Sequence, residues 1–320
     1  MKLTTLLTFV IMLLSFTNIF GQKDLTIGFY NVENLFDTLK TEGKNDNEFL
    51  PNTAREWNTQ KYFEKISHIN RVIETMHCPL ILGLCEIENE AVVRDIVKGG
   101  SLNKTHGIVH YESLDQRGID NVIIYDSTKI NIAESGIIRF KMPLNYLPSR
   151  DIVWAKLHSG NDTILTIVNH WPSRYGGQME SEPKRLIVAY SVKKFIDSMV
   201  TVNPKIKVVF MGDLNDYPEN IGPQIISESL KPMITAESGE FGGSYNYKGK
   251  WNVLDHIFVS NSLLKKKGIH VSKKSGKIHS DKYLLDTYKG NIVPFRTYGG
   301  RKYLAGYSDH LPVTVNFSFN

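Results

Sequence analysis

Residues 206–215 read IKVVFMGDLN, and their order of side chains sets the class of fold. Ile206–Met211 is a near-continuous apolar run, the pattern of a strand covered on both faces. It is followed at once by Asp213 and Asn215. The same design, a buried strand ending in groups that suit chemistry, recurs along the chain. Leu80–Glu86 (LILGLCE) ends on Glu86, and Leu25–Asn31 (LTIGFYN) ends on Asn31. Ile164–Asn169 leads into His170, which opens HWPSR. Asp255 opens the apolar stretch of Leu254–Val259, and Asp309 and His310 stand just before the last strand, Val313–Phe319. Asn121–Tyr125, Ile137–Phe140 and Ile152–Leu157 complete the expected strands.

Helices come singly between these strand groups. Lys61–Met76 places Phe63, Ile66, Ile69, Ile73 and Met76 at helical spacing. Asn89–Lys98 is a short amphipathic helix. Pro183–Met199 is expected to carry its proline just inside the helix start, where the missing N–H is harmless. Asn34–Asn58 reads as a long polar loop. No Pro/Gly/Ser linker divides residues 22–320, so the expectation is one catalytic domain, α/β in composition and α+β in order. Its sheets would pack face to face with helices outside. The pattern leaves the strand order open.

With 41% hydrophobic and 22% charged residues over 320, the composition is that of a folded globular chain. Residues 1–21, MKLTTLLTFVIMLLSFTNIFG, follow the order of a secretory signal, with a single Lys, an apolar run from Leu6 to Phe16 and a polar end. That run is short for a membrane span. The expected product starts at Gln22 and is exported, to the periplasm or the medium, as a monomer with no stable span. Cys78 and Cys85 are too far apart along an extended run to form a disulfide. The net charge of +5 is uneven. Lys265–Lys302 holds eleven Lys and Arg against two Asp, a local +9, so the remainder sums to −4. A basic face of this kind attracts polyanions.

Taken singly, each polar strand end has an ordinary explanation; Asp-x-Asn, for instance, is common turn chemistry. Taken together, six strand ends bearing Asp, Glu, Asn or His supply what a hard cation with a general base and acid requires. These fragments resemble the endonuclease/exonuclease/phosphatase superfamily. Its marks are an Asn after the first strand, a Glu after the second, a central His, a GDxN block, an LDHIF-like block and a terminal SDHxPV. All six stand here in order, from about Leu25 to Phe317. The resemblance implies a four-layer sandwich of two central β-sheets flanked by helices, with the site at one sheet rim.

It also implies roles. Glu86 would bind Mg2+, or alternatively Mn2+ or Ca2+, assisted by Asn31 and Asp309. Asp213 would orient or deprotonate the attacking water, and Asn215 would hold the water and the phosphate. His310 would donate to the phosphoryl oxygen, with Asp255 fixing its tautomer. His170, present in members resembling secreted deoxyribonucleases and sphingomyelinases, would be a second donor. In the loop SLDQRGID, Arg117 is the expected phosphate clamp and Asp115 the expected partner of His170. Gly176 and Gly177 suggest a mobile loop beside the site. The expected function is an exported metal-dependent phosphodiesterase, most simply an endonuclease, that cuts nucleic acid by in-line water attack. In it the Lys265–Lys302 stretch tracks the substrate backbone. The alternative is a lipid or small-molecule phosphoesterase, for which the aromatic segment Phe241–Trp251 would serve as the membrane-seeking element. A non-catalytic binding protein would be expected to lose Glu86, Asp213 or His310, and all three are present.

Overall fold

The computed structural model describes residues 25–102, 105–143 and 146–319, so the signal-like segment 1–21 lies outside the described residues. The strands are β1 (Leu25–Leu35), β2 (Ile81–Ile87), β3 (His106–His110), β4 (Asp120–Asp126), β5 (Asn131–Ile138), β6 (Ile152–Ser159), β7 (Asp162–His170), β8 (Lys207–Asp213) and β9 (Lys231–Pro232). They continue with β10 (Tyr245–Tyr247), β11 (Lys250–Asn252), β12 (Asp255–Val259), β13 (His270–Val271), β14 (Lys277–Ile278), β15 (Leu285–Tyr288), β16 (Asn291–Pro294), β17 (Tyr298–Gly299), β18 (Lys302–Tyr303) and β19 (Val313–Ser318). The α-helices are α1 (Thr59–Thr75), α2 (Glu90–Gly99), α3 (Gln178–Val202) and α4 (Ile221–Ser227).

One seven-stranded sheet runs β13-β19-β1-β2-β4-β3, with β14 also paired to β19; a six-stranded sheet runs β5-β6-β7-β8-β12-β9. Each contains one parallel pair, β1 with β2 and β7 with β8, while their remaining pairs are antiparallel. A parallel pair needs a long crossover, and α1 and α3 supply it. The inner faces of both sheets form one apolar core, with Ile27, Phe29, Ile81 and Cys85 packed among Val153, Val168, Val209 and Met211. A second core, including Leu165, Val208, Phe210, Val188, Val192 and Ile196, lies between the six-stranded sheet and α3. The layers are therefore helix, sheet, sheet, helix. Burial on both faces is why β2 and β8 read as unbroken apolar runs.

Asn58 and Asn89 cap α1 and α2 by accepting from the backbone N–H of Lys61 and Val92. Helix α3 begins five residues before Pro183, so the proline stands inside the helix and not at its entry as expected. It lacks the N–H that would donate to the Met179 carbonyl, so the helix forgoes that ladder bond. The strand β5 begins at Asn131, where its exposed polar residues had hidden it. No disulfide joins Cys78 and Cys85. Among the described residues, no helix is long and apolar enough to cross a membrane.

Candidate active site

The two parallel pairs bring their carboxyl ends to the same rim. His170 ends β7 and Asp213 ends β8, and Asp255 begins the antiparallel β12. Registry sets His170 opposite Asp213 and Asp213 opposite Asp255, so the three occupy one row. Gly212 makes this row tight: a Cβ there would meet the Asn169 carbonyl oxygen at 2.3 Å. From the facing sheet, β1 and β2 both lose register at this level, between Asn31 and Leu35 and between Cys85 and Ile87. Glu86 takes φ 63°, and Glu33 and Asn34 each take φ 54°. Such left-handed backbone is costly for residues with a side chain and collects at functional sites. Here the Asn34 N–H donates to Glu86 Oε2 at 2.9 Å.

Asn31 ties the sheets together. Its Nδ2 donates to Asp213 Oδ2 at 3.0 Å, and its Oδ1 accepts the Glu33 N–H at 3.0 Å. Asn215, at φ 48°, donates its backbone N–H to Asp213 Oδ1 at 2.9 Å and its amide to the Trp171 carbonyl at 3.1 Å. Ser308 of the SDH block donates to the Asn31 carbonyl and accepts the His310 N–H.

His310 Nδ1 donates to Asp255 Oδ2 at 2.7 Å, and Ser244 donates to the same oxygen at 2.6 Å. The Tyr245 ring lies 4.9 Å from the imidazole. Burial opposes the charge on His310, but Asp255 and then Asp213 overcome it and hold the imidazole well above its usual range, as a cation. His170 is held well below that range by burial, then by Arg150, Arg117 and His310, and is neutral. Burial pushes Asp213 up to about 7, against the pull of His310. A carboxyl that titrates near neutrality is suited to general-base work. Asp213 Oδ2 stands 3.6 Å from both His170 Nε2 and His310 Nε2. That is too long for direct bonds and leaves one small polar group room among the three.

The donors for a cation lie beside this point. Glu86 Oε1 faces the cleft at 3.9 Å from both Arg117 and His170, beyond hydrogen-bond reach. Asp309 Oδ2 is held by Arg296 at 2.8 Å, while Oδ1 is 4.0 Å from His310 Nε2. Arg296 also reaches Glu33, whose buried carboxyl is pushed up to about 7 by desolvation and then by Asp309. Two uncommitted carboxylate oxygens, with the remaining lone pair of Asn31 Oδ1, fit a hard divalent cation completed by water. The trio Asp213, Asp255 and His310 also lies within metal-ligating distance. Its cationic imidazole and committed Asp255 oxygen make it a proton-handling group.

The cleft has a volume of about 820 Å3 and is lined by Glu86, Arg117, His170, Asp213, Asn215, Asp309 and His310. Asn31 and Asp255 support it from beneath through the bonds described. Two expectations are corrected. Asp115 does not meet His170; its carboxylate pairs with Arg150 at 3.3 Å, and His170 Nδ1 has no partner. The charge of Arg150 holds it there. Nor do Lys265–Lys267 border the cleft. Lys207 donates to the Lys267 carbonyl at the start of β8, whereas Asp213 ends that strand, six residues or about 20 Å away. From the same stretch, Arg296 does reach the site. The aromatic segment Phe241–Trp251 folds as the β10–β11 hairpin, with Tyr245 and Tyr247 walling the cleft. Gly176 and Gly177 line it in left-handed backbone.

The sequence reading passed over Arg150 and Ser244, and placed Tyr245 on a membrane-seeking segment and not beside His310. Arg150-Asp151 directly before a buried strand was the available signal for the first.

A family profile, the endonuclease/exonuclease/phosphatase family, matches residues 26–318. No curated protein matches the chain significantly. Among solved structures, the mannosyl-6-phosphatase of Bacteroides thetaiotaomicron superposes with a TM-score of 0.63 at 18% identity, covering 92% of this chain and 100% of that one. The human Nocturnin catalytic domain with bound sulfate gives 0.57 at 16%, covering 93% and 95%. D. rerio TDP2 complexed with single strand DNA product gives 0.58 at 14%, covering 92% and 99%. At these identities the structures speak for the fold, while the profile spans nearly every described residue: the chain belongs to the endonuclease/exonuclease/phosphatase family.

Proposed function

We propose that this phosphoesterase hydrolyses phosphodiester bonds of a nucleic-acid strand by metal-dependent, in-line attack of water. The observation that carries the hydrolytic reading is the space at Asp213 Oδ2, 3.6 Å from each of two imidazole Nε2 atoms, one held cationic and one neutral. Asp213 takes the proton of the water seated there. His310, charged and oriented by Asp255, donates to a phosphoryl oxygen as negative charge builds. His170 Nε2, beside the same water position, is a second donor to the phosphate, which Asn215 and Arg117 hold; the leaving oxygen departs on the opposite side and takes its proton from solvent. Glu86, Asp309 and Asn31 would hold a divalent cation, which would supply charge neutralisation to the phosphoryl group.

The strand reading is supported at the cleft mouth. The β10–β11 and β15–β16 hairpins lie side by side, with Asn246 bonded to the Ile292 carbonyl. Each carries an exposed tyrosine under a lysine, Tyr247 with Lys248 and Tyr288 with Lys289. Exposed rings beside cations suit single-stranded nucleic acid, where bases stack and phosphates pair. The TDP2 structure, which holds a single-stranded DNA product, lends support by analogy. A second reading, a small-molecule phosphoesterase, is favoured by the side cleft that adjoins the site, whose walls include Tyr146, Leu147 and Pro172. Export rests on the signal-like residues 1–21.

Hydrolysis of single-stranded DNA, RNA, bis-p-nitrophenyl phosphate and sphingomyelin, each with Mg2+ or Mn2+ and with chelator, tests the proposal. Metal-dependent cleavage of a strand is expected. A protein inert toward every phosphoester in both metals overturns the hydrolytic reading; turnover of small esters alone selects the second one.

A further inference from the structure

We infer that the side cleft beside the catalytic row is a subsite for a second phosphate of the substrate. The inference rests on the phosphoesterase reading and adds to it a substrate class: esters that carry another phosphate near the scissile one. The side cleft, about 500 Å3, opens into the catalytic cleft through Arg117, Arg150, Ser173 and Tyr175. Its charged lining is Arg117, Arg150 and Lys184 against Asp115 alone. Asp115 is already matched to Arg150, so two cations have no acidic counterpart in the lining. The remaining walls include Tyr146, Leu147 and Pro172, which suit the ring or chain that joins two phosphates.

Arg150 makes the cleft a built site. It is 8% exposed, yet its Nε is buried with no hydrogen-bond partner. Its Nη1 reaches Asp115 at 3.3 Å, and its Nη2 donates to the Trp171 carbonyl at 2.8 Å. The same carbonyl accepts from Asn215, so the side cleft is keyed to the catalytic row through one backbone oxygen. The Nε is enclosed by protein, so what draws an anion into the cleft is the charge of the buried guanidinium, which Asp115 meets only at 3.3 Å. Lys184 stands on the opposite wall with its ammonium over the Tyr146 ring at 4.4 Å.

The test compares thymidine 5′-(p-nitrophenyl phosphate) with the same diester carrying a 3′-phosphate, and TpT with pTpT, using metal-loaded protein. The second phosphate is expected to lower KM by about 10-fold or more, as one charge-assisted hydrogen bond allows. Arg150→Gln and Lys184→Gln should each shrink that preference, whereas Lys194→Gln, an exposed site elsewhere on α3, should leave it intact. Lys184→Gln keeps the test valid if loss of the Asp115 pair unfolds the Arg150 variant. A preference in the mononucleotide pair identifies a small bisphosphorylated substrate, and one in the dinucleotide pair alone identifies a strand; either supports the subsite. Equal KM values within both pairs, or a preference that survives both variants, overturns it. If no diester is hydrolysed, the function fails on its own. Calorimetric binding of the phosphorylated and unphosphorylated compounds then decides the subsite by the same 10-fold criterion.

Discussion

Replacing Asp255 by Asn removes one charge from the centre of the site while leaving its shape. Asp255 is fully buried; one oxygen, Oδ2, accepts from both His310 and Ser244, and Oδ1 has no partner. An asparagine can set its carbonyl oxygen where Oδ2 stands and keep both bonds. What changes is a charge-assisted bond becoming a neutral one, a difference of about 1–2 kcal/mol, or about one pKa unit on the imidazole. Asp255 is the largest cause that raises His310, with Asp213 next. The His310 pKa should therefore fall, and the alkaline limb of kcat against pH should move to lower pH by about one unit. At neutral pH, kcat on bis-p-nitrophenyl phosphate should drop by about 5- to 30-fold, less than the ~10^4-fold seen where such a change also inverts the histidine tautomer. Asp255→Ala loses the positioning bond as well and should be worse. Amide thermal stability in the Asn variant should change little, because relief of a buried charge offsets the unmet NH2. An unmoved alkaline limb with wild-type kcat in Asp255→Asn would refute the assignment of His310 as a charged donor.

Glu86→Gln should raise the Mg2+ concentration for half-maximal activity by about 10-fold or more, checked by metal titration after chelation; an unchanged midpoint removes Glu86 from the ligand set. The triple change of Lys265, Lys266 and Lys267 to Gln should leave both turnover and the salt dependence of DNA binding unchanged, since these exposed lysines lie at the far rim; a flatter salt slope would place substrate there after all. Burial pushes His279 down to about 3, so the unfolded chain takes up its proton near pH 6.5 while the folded chain does not. Stability from this group is present above pH 6.5 and lost as pH falls below it. From pH 7 to 5, urea melts of His279→Gln should gain on wild type by up to ~2 kcal/mol. The difference between the two proteins is the quantity to measure, because Asp213, Glu33 and Glu88, each raised to about 7, shift wild-type stability the opposite way. A constant difference across that range refutes the linkage.

What the sequence shows about this site, and what it hides, follows from how far each contact reaches along the chain. His170, Asp213 and Asp255 were legible because each adjoins an unbroken apolar run, and a sheet rim collects such ends without further information. The bulges at Asn31 and Glu86 were not, since a register slip depends on the neighbouring strand. Asp115 looked like a partner for His170 on family resemblance, but Arg150 competes for it from 35 residues away. The lysine stretch misled for a related reason. Composition treats Lys265–Lys302 as one surface, whereas β13 pairs with the end of β19 and Arg296 returns to its beginning, near Asp309. Sequence neighbours thus land on opposite rims, while Asn31 and Asp213, 182 residues apart, share a hydrogen bond. That bond has a functional consequence. The general base sits on one sheet and its amide donor on the other, so any substitution that slides the sheets, even deep in the core at Val168 or Met211, should reach catalysis before it unfolds the chain.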